Sequence, residues 1–432
     1  MNRASLGEWL RWLEGVHPRA IDLGCERVAE VAQRLGLLPA PVPVITVAGT
    51  NGKGSVVACL EALYRTAGRR PGAYTSPHLL AYNERIRIAG EPADDTSIIR
   101  AFEAIDAARG EITLTYFEFA TLAAAWCFRE AGCDLWLLEV GLGGRLDATN
   151  AFDADVAVIT SIDLDHMEWL GPDRESIARE KLGVARRGRP VVCADPAPPE
   201  SLVQGAAALN APLLALGEAF RYSAGPAAWD WTGEGEQLRG LPRPPWMPDA
   251  ALANAAAAVA VVRLTDPRLR LTGHSVRGGI AAARLAGRLQ AVPAAGGGQW
   301  LLDVAHNPGA MRLLAAAIAE RRGGGRVRAA FGLMRRKPLG ELVGLLAPVV
   351  DEWFALALPD DDGWSTAEIG AAVAEAGGRL IGEGGPDGAV AALDPITAPD
   401  DLTLGVGSFR VVEALLRAGV GGGVPAGTQF QV

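Results

Sequence analysis

Val44-Ile45-Thr46-Val47-Ala48 runs straight into Gly49-Thr50-Asn51-Gly52-Lys53-Gly54-Ser55, and the reading of these residues decides the fold. With Pro43 ahead of it, the apolar run predicts a buried strand, and Val56 to Ala67, stopped by Gly68, predicts a helix. Strand, glycine-rich loop and helix in succession are the context that a phosphate-binding loop requires. Backbone N–H groups there can cradle phosphate oxygens, and Lys53 can reach the β/γ-phosphates. The loop departs from the GxxxxGK[ST] pattern. Val47 stands in place of the first glycine, and Gly54 stands where Ser or Thr normally holds Mg²⁺. A plain glycine-rich turn is the alternative; if the loop binds a nucleotide, its metal ligands lie elsewhere in the chain.

Outward from this stretch, strands and helices alternate. Strands are predicted at 135–140, 155–160 and 190–192, and helices at 6–13, 25–35, 96–108, 117–131 and 173–186. Near-continuous apolar strands between helices imply a parallel sheet covered on both faces. Residues 219–246, with Trp229, Trp231 and Trp246, read as a small β-hairpin excursion before an alanine-rich helix at 252–264. A second alternating set has strands at 300–303, 327–331, 352–356 and 402–406. The expected organisation is a P-loop domain over 1–286, a linker over 287–298, a smaller Rossmann-like α/β domain over 299–418 and a flexible tail over 419–432.

Composition narrows the function classes. The 432 residues carry 41 basic and 50 acidic side chains, a net charge of −9, which argues against a chain built to grip nucleic acid. No apolar run approaches the ~20 residues of a membrane span. Glu8, Arg11 and Glu14 make the N-terminus unlike a secretory signal. The 5 cysteines lack CxxC spacing and read as reduced thiols, so a cytoplasmic location is expected. Only Lys53, Lys181 and Lys337 are lysine, so 41 − 3 = 38 basic residues are arginine. A lysine in such a chain marks a place where a compact or titratable amine is needed.

Other chemistry-bearing residues fall at strand ends. Glu139 closes an apolar strand ahead of Gly141-Leu142-Gly143-Gly144-Arg145, on the ligand side of a parallel sheet. A loop salt bridge with Arg145 is its structural alternative. His166 lies just past another strand end, and a lone histidine there is as often structural as a ligand. Lys181 on a helix reads, by spacing alone, as a solvated surface lysine. Asp303 and His306, in Asp303-Val304-Ala305-His306-Asn307-Pro308, occupy a strand end of the second set.

Taken together, VAGTNGKGS (47–55), YTSPHL (74–79), YNERI (82–86), EVGLGGRLDATN (139–150), DHMEWLG (165–171), IAREKLG (177–183), DVAHNP (303–308) and GVGSF (405–409) carry a resemblance. The chain resembles the folylpolyglutamate synthases of the Mur ligase superfamily, and most closely their bifunctional dihydrofolate synthase/folylpolyglutamate synthase form, from about Leu6 to Leu416. The resemblance implies ATP-dependent addition of L-glutamate to dihydropteroate and to folates through an acyl phosphate, by a monomer. It implies ATP contacts at Thr50, Asn51, Gly52, Lys53, Gly54, Ser55, Asn254, Arg288 and Asp303. It further implies Mg²⁺ held by Ser76, Glu139 and His166, and a second Mg²⁺ held by Lys181 after carbamylation with CO₂. Pterin contacts are implied at Ala20, Ile21, Asp22, Leu23, Thr115, Tyr116, Phe117, Glu118, Leu146, Asp147 and Ala148. Lys53, Lys181, Asp303 and His306 are the implied catalytic residues, and Ser408 an implied glutamate contact.

Two departures stand out. The family's His-Gln pair ahead of Asn254 is absent from Asp249-Ala250-Ala251-Leu252-Ala253-Asn254, and its Asp-Lys-Asp becomes Arg336-Lys337-Pro338. The alternatives to a dual ligase are a tail-extending folylpolyglutamate synthase, a muramyl peptide ligase and a regulatory P-loop NTPase.

Overall fold

A computed structural model describes residues 3–225, 227–265, 272–358 and 362–422, which form two units. The first comprises residues up to Pro244 together with Leu252–Ala283; the second comprises Pro245–Ala251 and the chain from Arg284 onward.

The first unit is built on an eight-stranded sheet of order β4-β3-β2-β5-β1-β6-β7-β8. Its strands are β1 (Val44–Ala48), β2 (Pro71–Tyr74), β3 (Ile86–Ile88), β4 (Glu91–Pro92), β5 (Leu135–Glu139), β6 (Val156–Ile159), β7 (Val191–Cys193) and β8 (Leu213–Ala215). β1 lies parallel between β5 and β6 and is buried along its whole length. Its β-branched residues therefore fill both faces of the sheet, as the unbroken apolar run requires. The sheet is not parallel throughout, because β3 and β4 add antiparallel at the edge. They are too short and polar to show as periodic runs.

The phosphate-loop helix spans Lys53–Thr66, one turn earlier than the apolar pattern predicts, because Gly52 serves as its N-cap and the first turn carries no large apolar side chain. It packs against the helices Leu252–Thr265 and Gly273–Ala282. The helices Asp95–Arg109 and Tyr116–Glu130 form a separate aromatic-rich core with Trp9, Phe102, Phe119, Phe128 and Trp136. Residues 219–246 hold a three-stranded antiparallel sheet rather than a single hairpin: β9 (Phe220–Ala224), β10 (Ala228–Gly233) and β11 (Glu236–Pro242). Trp231 Nε1 anchors it by donating to Ala256 O at 3.1 Å.

The second unit holds a six-stranded sheet of order β12-β13-β17-β14-β15-β16. These are β12 (Gln290–Pro293), β13 (Gln299–Asp303), β14 (Val327–Phe331), β15 (Glu352–Leu356), β16 (Arg379–Gly384) and β17 (Leu402–Val406), parallel except for β12. β12 therefore occupies residues expected to form a linker. Val420 is buried, so the expected tail does not begin at 419; residues 423–432 lie outside the described residues. Among the described residues, no helix is long and apolar enough to cross a membrane.

At the N-terminal ends of this sheet, register sets an ion cluster. Arg328 and Glu352 are direct partners across β14 and β15, and Arg328 reaches Glu352 Oε2 at 2.9 Å and Asp401 Oδ2 at 2.7 Å, all three being buried. Arg326 and Arg379 also reach Glu352, at 2.7 and 3.1 Å, so removing Arg328 takes the shared cation from two buried acids while leaving Glu352 partly paired. Arg328→Met should therefore cost about 2 kcal/mol, the scale of hydrogen bonds lost from charged groups. Denaturant unfolding followed by circular dichroism checks this through a lowered midpoint, and an unchanged midpoint would contradict it.

Candidate active site

The loop after β1 is shaped by what it must avoid. Gly49 has φ +152° and Gly52 φ +90°. A Cβ at Gly49 would collide with the Thr160 hydroxyl, and one at Gly52 with the Asn254 side chain. Only glycine lets this backbone pass so close to its neighbours. The loop is fastened to the segment after β6. Thr50 N donates to Ser161 O at 2.6 Å, Thr50 Oγ1 exchanges bonds with Asp163 at 3.0 and 3.1 Å, and Asn51 N donates to Ser161 Oγ at 3.0 Å. Lys53 Nζ folds over the loop, donating to Gly49 O at 3.0 Å and Thr50 O at 3.3 Å. A helix N-terminus, a bare glycine backbone and an ammonium thus converge where an anion can bind.

Ser161, Asp163 and Asp195 were not legible as site-forming residues. Asp195 is buried just past β7, where it accepts from Ile162 N at 2.7 Å and pairs with Arg174. A single acid closing the apolar run Val191-Val192-Cys193-Ala194 is the available signal, the same one that marks Glu139.

Glu139 ends β5 beside Val47 of β1 and is buried. Its Oε2 accepts from Ser76 N at 3.3 Å, which brings two of the expected metal-binding residues together. The alternative ion pair does not form, since Arg145 pairs with Glu180 at 3.0 Å. His166 occupies a left-handed backbone position (φ 51°) at the start of the Met167–Leu170 turn, with Asp165 Oδ2 4.0 Å from its Nε2. Among the described residues, no three His, Cys, Asp or Glu side chains are grouped to hold a metal. A serine whose backbone touches a buried carboxylate nevertheless fits Mg²⁺, which takes few protein ligands and completes its shell with phosphate oxygens and water.

Lys181 is not a surface lysine. It lies on the helix Arg174–Leu182 and is only 3% exposed. Burial, with Lys53 nearby as a second cation, pulls its amine down to about 7, against the opposing pull of Asp165 and Asp147. Near neutrality much of this amine is uncharged and nucleophilic.

The three expected pterin segments meet in one place. Asp22 and Glu118 share the Arg27 guanidinium, at 2.6 and 2.9 Å. Gly24 N donates to Leu146 O at 3.0 Å, and the Cys25 thiol to Asp147 O at 3.2 Å. Thr115 and Glu118 form a reciprocal cap on the helix Tyr116–Glu130. Phe117 abuts Gly141, the Tyr116 ring stands 6.0 Å from Tyr82, and Ile21 is exposed. The Asp147 carboxylate is occupied by its own loop. It accepts from Gly141 N, Leu142 N, Thr149 N and Thr149 Oγ1 at 2.7–3.0 Å, while burial pushes its pKa up. It therefore shapes the 140–149 loop. Ala20, Leu23 and Ala148 flank these contacts.

In the second unit, Asp303 ends β13 beside Val406 of β17. Its buried carboxylate accepts from Leu289 N at 2.9 Å and Ala305 N at 2.8 Å; burial raises its pKa, and Arg288 opposes the rise. Ser408, just past β17, caps the helix Phe409–Arg417 through Val411 N at 3.2 Å. Phe409 ties the group together, with Arg288 5.6 Å from its ring centre and the His306 ring 6.5 Å away. His306 Nδ1–H donates to Val304 O at 2.9 Å, which fixes its tautomer. Phe409 lay in the GVGSF motif but carries no polar atom to mark it. Lys337 is buried in a different loop, where its carbonyl accepts from Trp364 Nε1.

Comparison with known proteins identifies the relatives of this chain. The Mur ligase middle domain matches residues 47–190, and the Mur ligase glutamate ligase domain matches 287–409. A dihydrofolate synthase/folylpolyglutamate synthase of Escherichia coli (strain K12) is 44% identical over 364 residues, 84% of each chain. The structure of E. coli FolC in complex with DHPP and ADP superposes with a TM-score of 0.89 at 40% identity, covering 96% of this chain and 97% of that one. A bifunctional folylpolyglutamate synthase/dihydrofolate synthase with Mn, AMPPNP and L-glutamate bound gives 0.86 at 42% identity, over 96% and 98%.

Two outcomes follow from the geometry. Gly52→Ala should weaken ATP binding by about tenfold or more, roughly 1.4 kcal/mol, read by calorimetry; unchanged affinity would contradict the cradle. Lys181→Met should raise the melting temperature in CO₂-free buffer, and more at pH 6 than at pH 9. The lysine's folded pKa, about 7, lies below its unfolded value of 10.5, so the penalty is full below 7 and fades as pH climbs toward 10.5. An equal gain at both pH values would contradict this.

Proposed function

We propose how a chain that belongs to the dihydrofolate synthase/folylpolyglutamate synthase family of Mur ligases performs its reaction with the residues described above. It is an ATP-dependent ligase that adds L-glutamate to dihydropteroate, forming dihydrofolate, and to folates, extending a γ-glutamyl tail. The observation that carries the residue-level reading is the single loop 139–149. It begins at Glu139 beside the phosphate loop and ends in the residues tied to Gly24 and Cys25.

A carboxylate is a poor electrophile, so it must first gain a leaving group. The loop Thr50–Ser55 binds the ATP phosphates and Lys53 neutralises charge on the transferred γ-phosphoryl. The pterin's carboxylate oxygen attacks that phosphorus, ADP leaves, and an acyl phosphate forms. The amine of L-glutamate then attacks the acyl carbon, loses a proton, and expels phosphate as the amide forms. Ser76, Glu139 and His166 would hold Mg²⁺, which supplies further charge neutralisation at the phosphates when bound.

Lys181 acts after modification. Its neutral amine attacks CO₂ and loses a proton, which turns a cation next to Lys53 into a carboxylate that can hold a second Mg²⁺. Arginine cannot make this conversion. In the second unit, Arg288, Asp303 and Asn307's neighbour His306 are assigned to ATP and acyl phosphate, and Ser408 to glutamate. Asn254, against Gly52, is assigned to ATP. Residues 20–23, 115–118 and 146–148 are assigned to the pterin. The chain is taken to work as a cytoplasmic monomer.

Phosphate release with ATP, Mg²⁺ and L-glutamate tests the activity, comparing dihydropteroate, tetrahydrofolate and no pterin. Turnover with both pterins is expected. Turnover with tetrahydrofolate alone would reduce the activity to tail extension, and release without any pterin would overturn the reading. Lys181→Arg should lower kcat by about 10²–10³, the scale for losing one electrostatic stabiliser. Wild-type turnover in that variant would overturn the carbamate.

A further inference from the structure

We infer that Arg27 is a positioning residue that locks two pterin-binding segments in one arrangement and so sets the affinity for dihydropteroate. The inference rests on the pterin-site assignment above. Arg27 lies in the first turn of the helix Glu26–Arg34. Its Nε donates to Glu118 Oε1 at 3.1 Å and its Nη2 lies 2.9 Å from the same oxygen. Nη1 donates to Asp22 Oδ2 at 2.6 Å, and Nη2 to Asp22 O at 2.9 Å.

Both partners are committed on their other sides. Glu118 Oε2 accepts from Thr115 N at 2.7 Å, so the carboxylate that grips Arg27 also caps the Thr115–Glu118 turn. Asp22 is also approached by His17 Nε2 at 3.4 Å and Arg19 Nη1 at 3.5 Å. One planar guanidinium therefore fixes the spacing between residues 20–23 and 115–118. Lysine, a single ammonium without the fork, cannot hold both carboxylates and the Asp22 carbonyl in this geometry. Glu118 is only 2% exposed, so without Arg27 its charge has little water to turn to.

The third segment is held by other means. The Gly24 N–H and the Cys25 thiol tie the N-terminal segment to 146–148 independently of Arg27. Loss of Arg27 thus lets residues 20–23 shift against 115–118 without detaching them altogether. The effect falls on pterin binding and spares the phosphate loop.

The test measures KM for dihydropteroate and for ATP, and dihydropteroate binding by quenching of tryptophan fluorescence, in Arg27→Met and Arg27→Lys. Arg27→Met is expected to raise both dihydropteroate constants about tenfold with ATP KM changed by less than about twofold, and Arg27→Lys to fall between. Unchanged dihydropteroate constants, or an equal rise for ATP, would overturn the inference. If Arg27→Met does not fold, Arg27→Lys carries the same test, because it keeps a cation beside Glu118 while losing the fork, and it should still raise the dihydropteroate constants with ATP KM unchanged. Ile21→Asp, at an exposed position, separates the two levels. If it raises dihydropteroate KM and Arg27→Met does not, the site assignment stands and the clamp falls; if neither raises it, both fall.

Discussion

The tie between the ends of β1 and β6 is the constraint on which the phosphate side of the first unit depends. Gly49 passes against Thr160 with no room for a side chain, and Thr50 N donates to Ser161 O at 2.6 Å. This contact turns the chain out of β1, and the helix then starts at Lys53. The register does the rest. Val47 beside Glu139 and Ala48 beside Ile159 set the acid of β5 and the polar segment after β6 on either side of the loop. Strand ends carry the chemistry because buried parallel strands leave their last residues as the first ones free to be polar.

Charge gives the site its direction. Two of the three lysines in the chain, Lys53 and Lys181, are close enough to disfavour each other's charge, and one of them is almost wholly buried. An always-charged guanidinium at 181 would have to bear that repulsion at every pH. A lysine can shed its proton, and its neutral amine can then become an anion, so the residue that looks costly as a cation becomes useful as a carboxylate. Of the acids that act on Lys181, Asp147 is already held by four donors of its own loop.

Much of this was readable from sequence where local pattern and chemistry coincide. The apolar run 44–48 reads as a buried strand, and the structure has it adjacent to the acid closing 135–139, while the glycines and that acid each also carried a structural alternative. Features set by tertiary contact were not readable. The depth of Lys181 is decided by what packs on its helix, and spacing alone argued for the surface. β3, β4, β8 and β12 are too short or too polar for periodicity, and Pro245–Ala251 joins the second unit despite its place in the chain. Arg27 and Phe409 organise other residues through a fork of donors and a ring face. Nothing in the sequence around Arg27 distinguishes it from a surface arginine, and Phe409, though it ends the GVGSF motif, has no polar atom to mark its role.

In this mechanism the carboxylate is activated by phosphorylation before the amine attacks. Dihydropteroate labelled with ¹⁸O in its carboxylate, turned over with ATP and L-glutamate, tests it by mass spectrometry of the released phosphate. An acyl phosphate passes one labelled oxygen to phosphate in each turnover, leaving the other in the amide. Phosphate free of label, with dihydrofolate formed, would contradict the account.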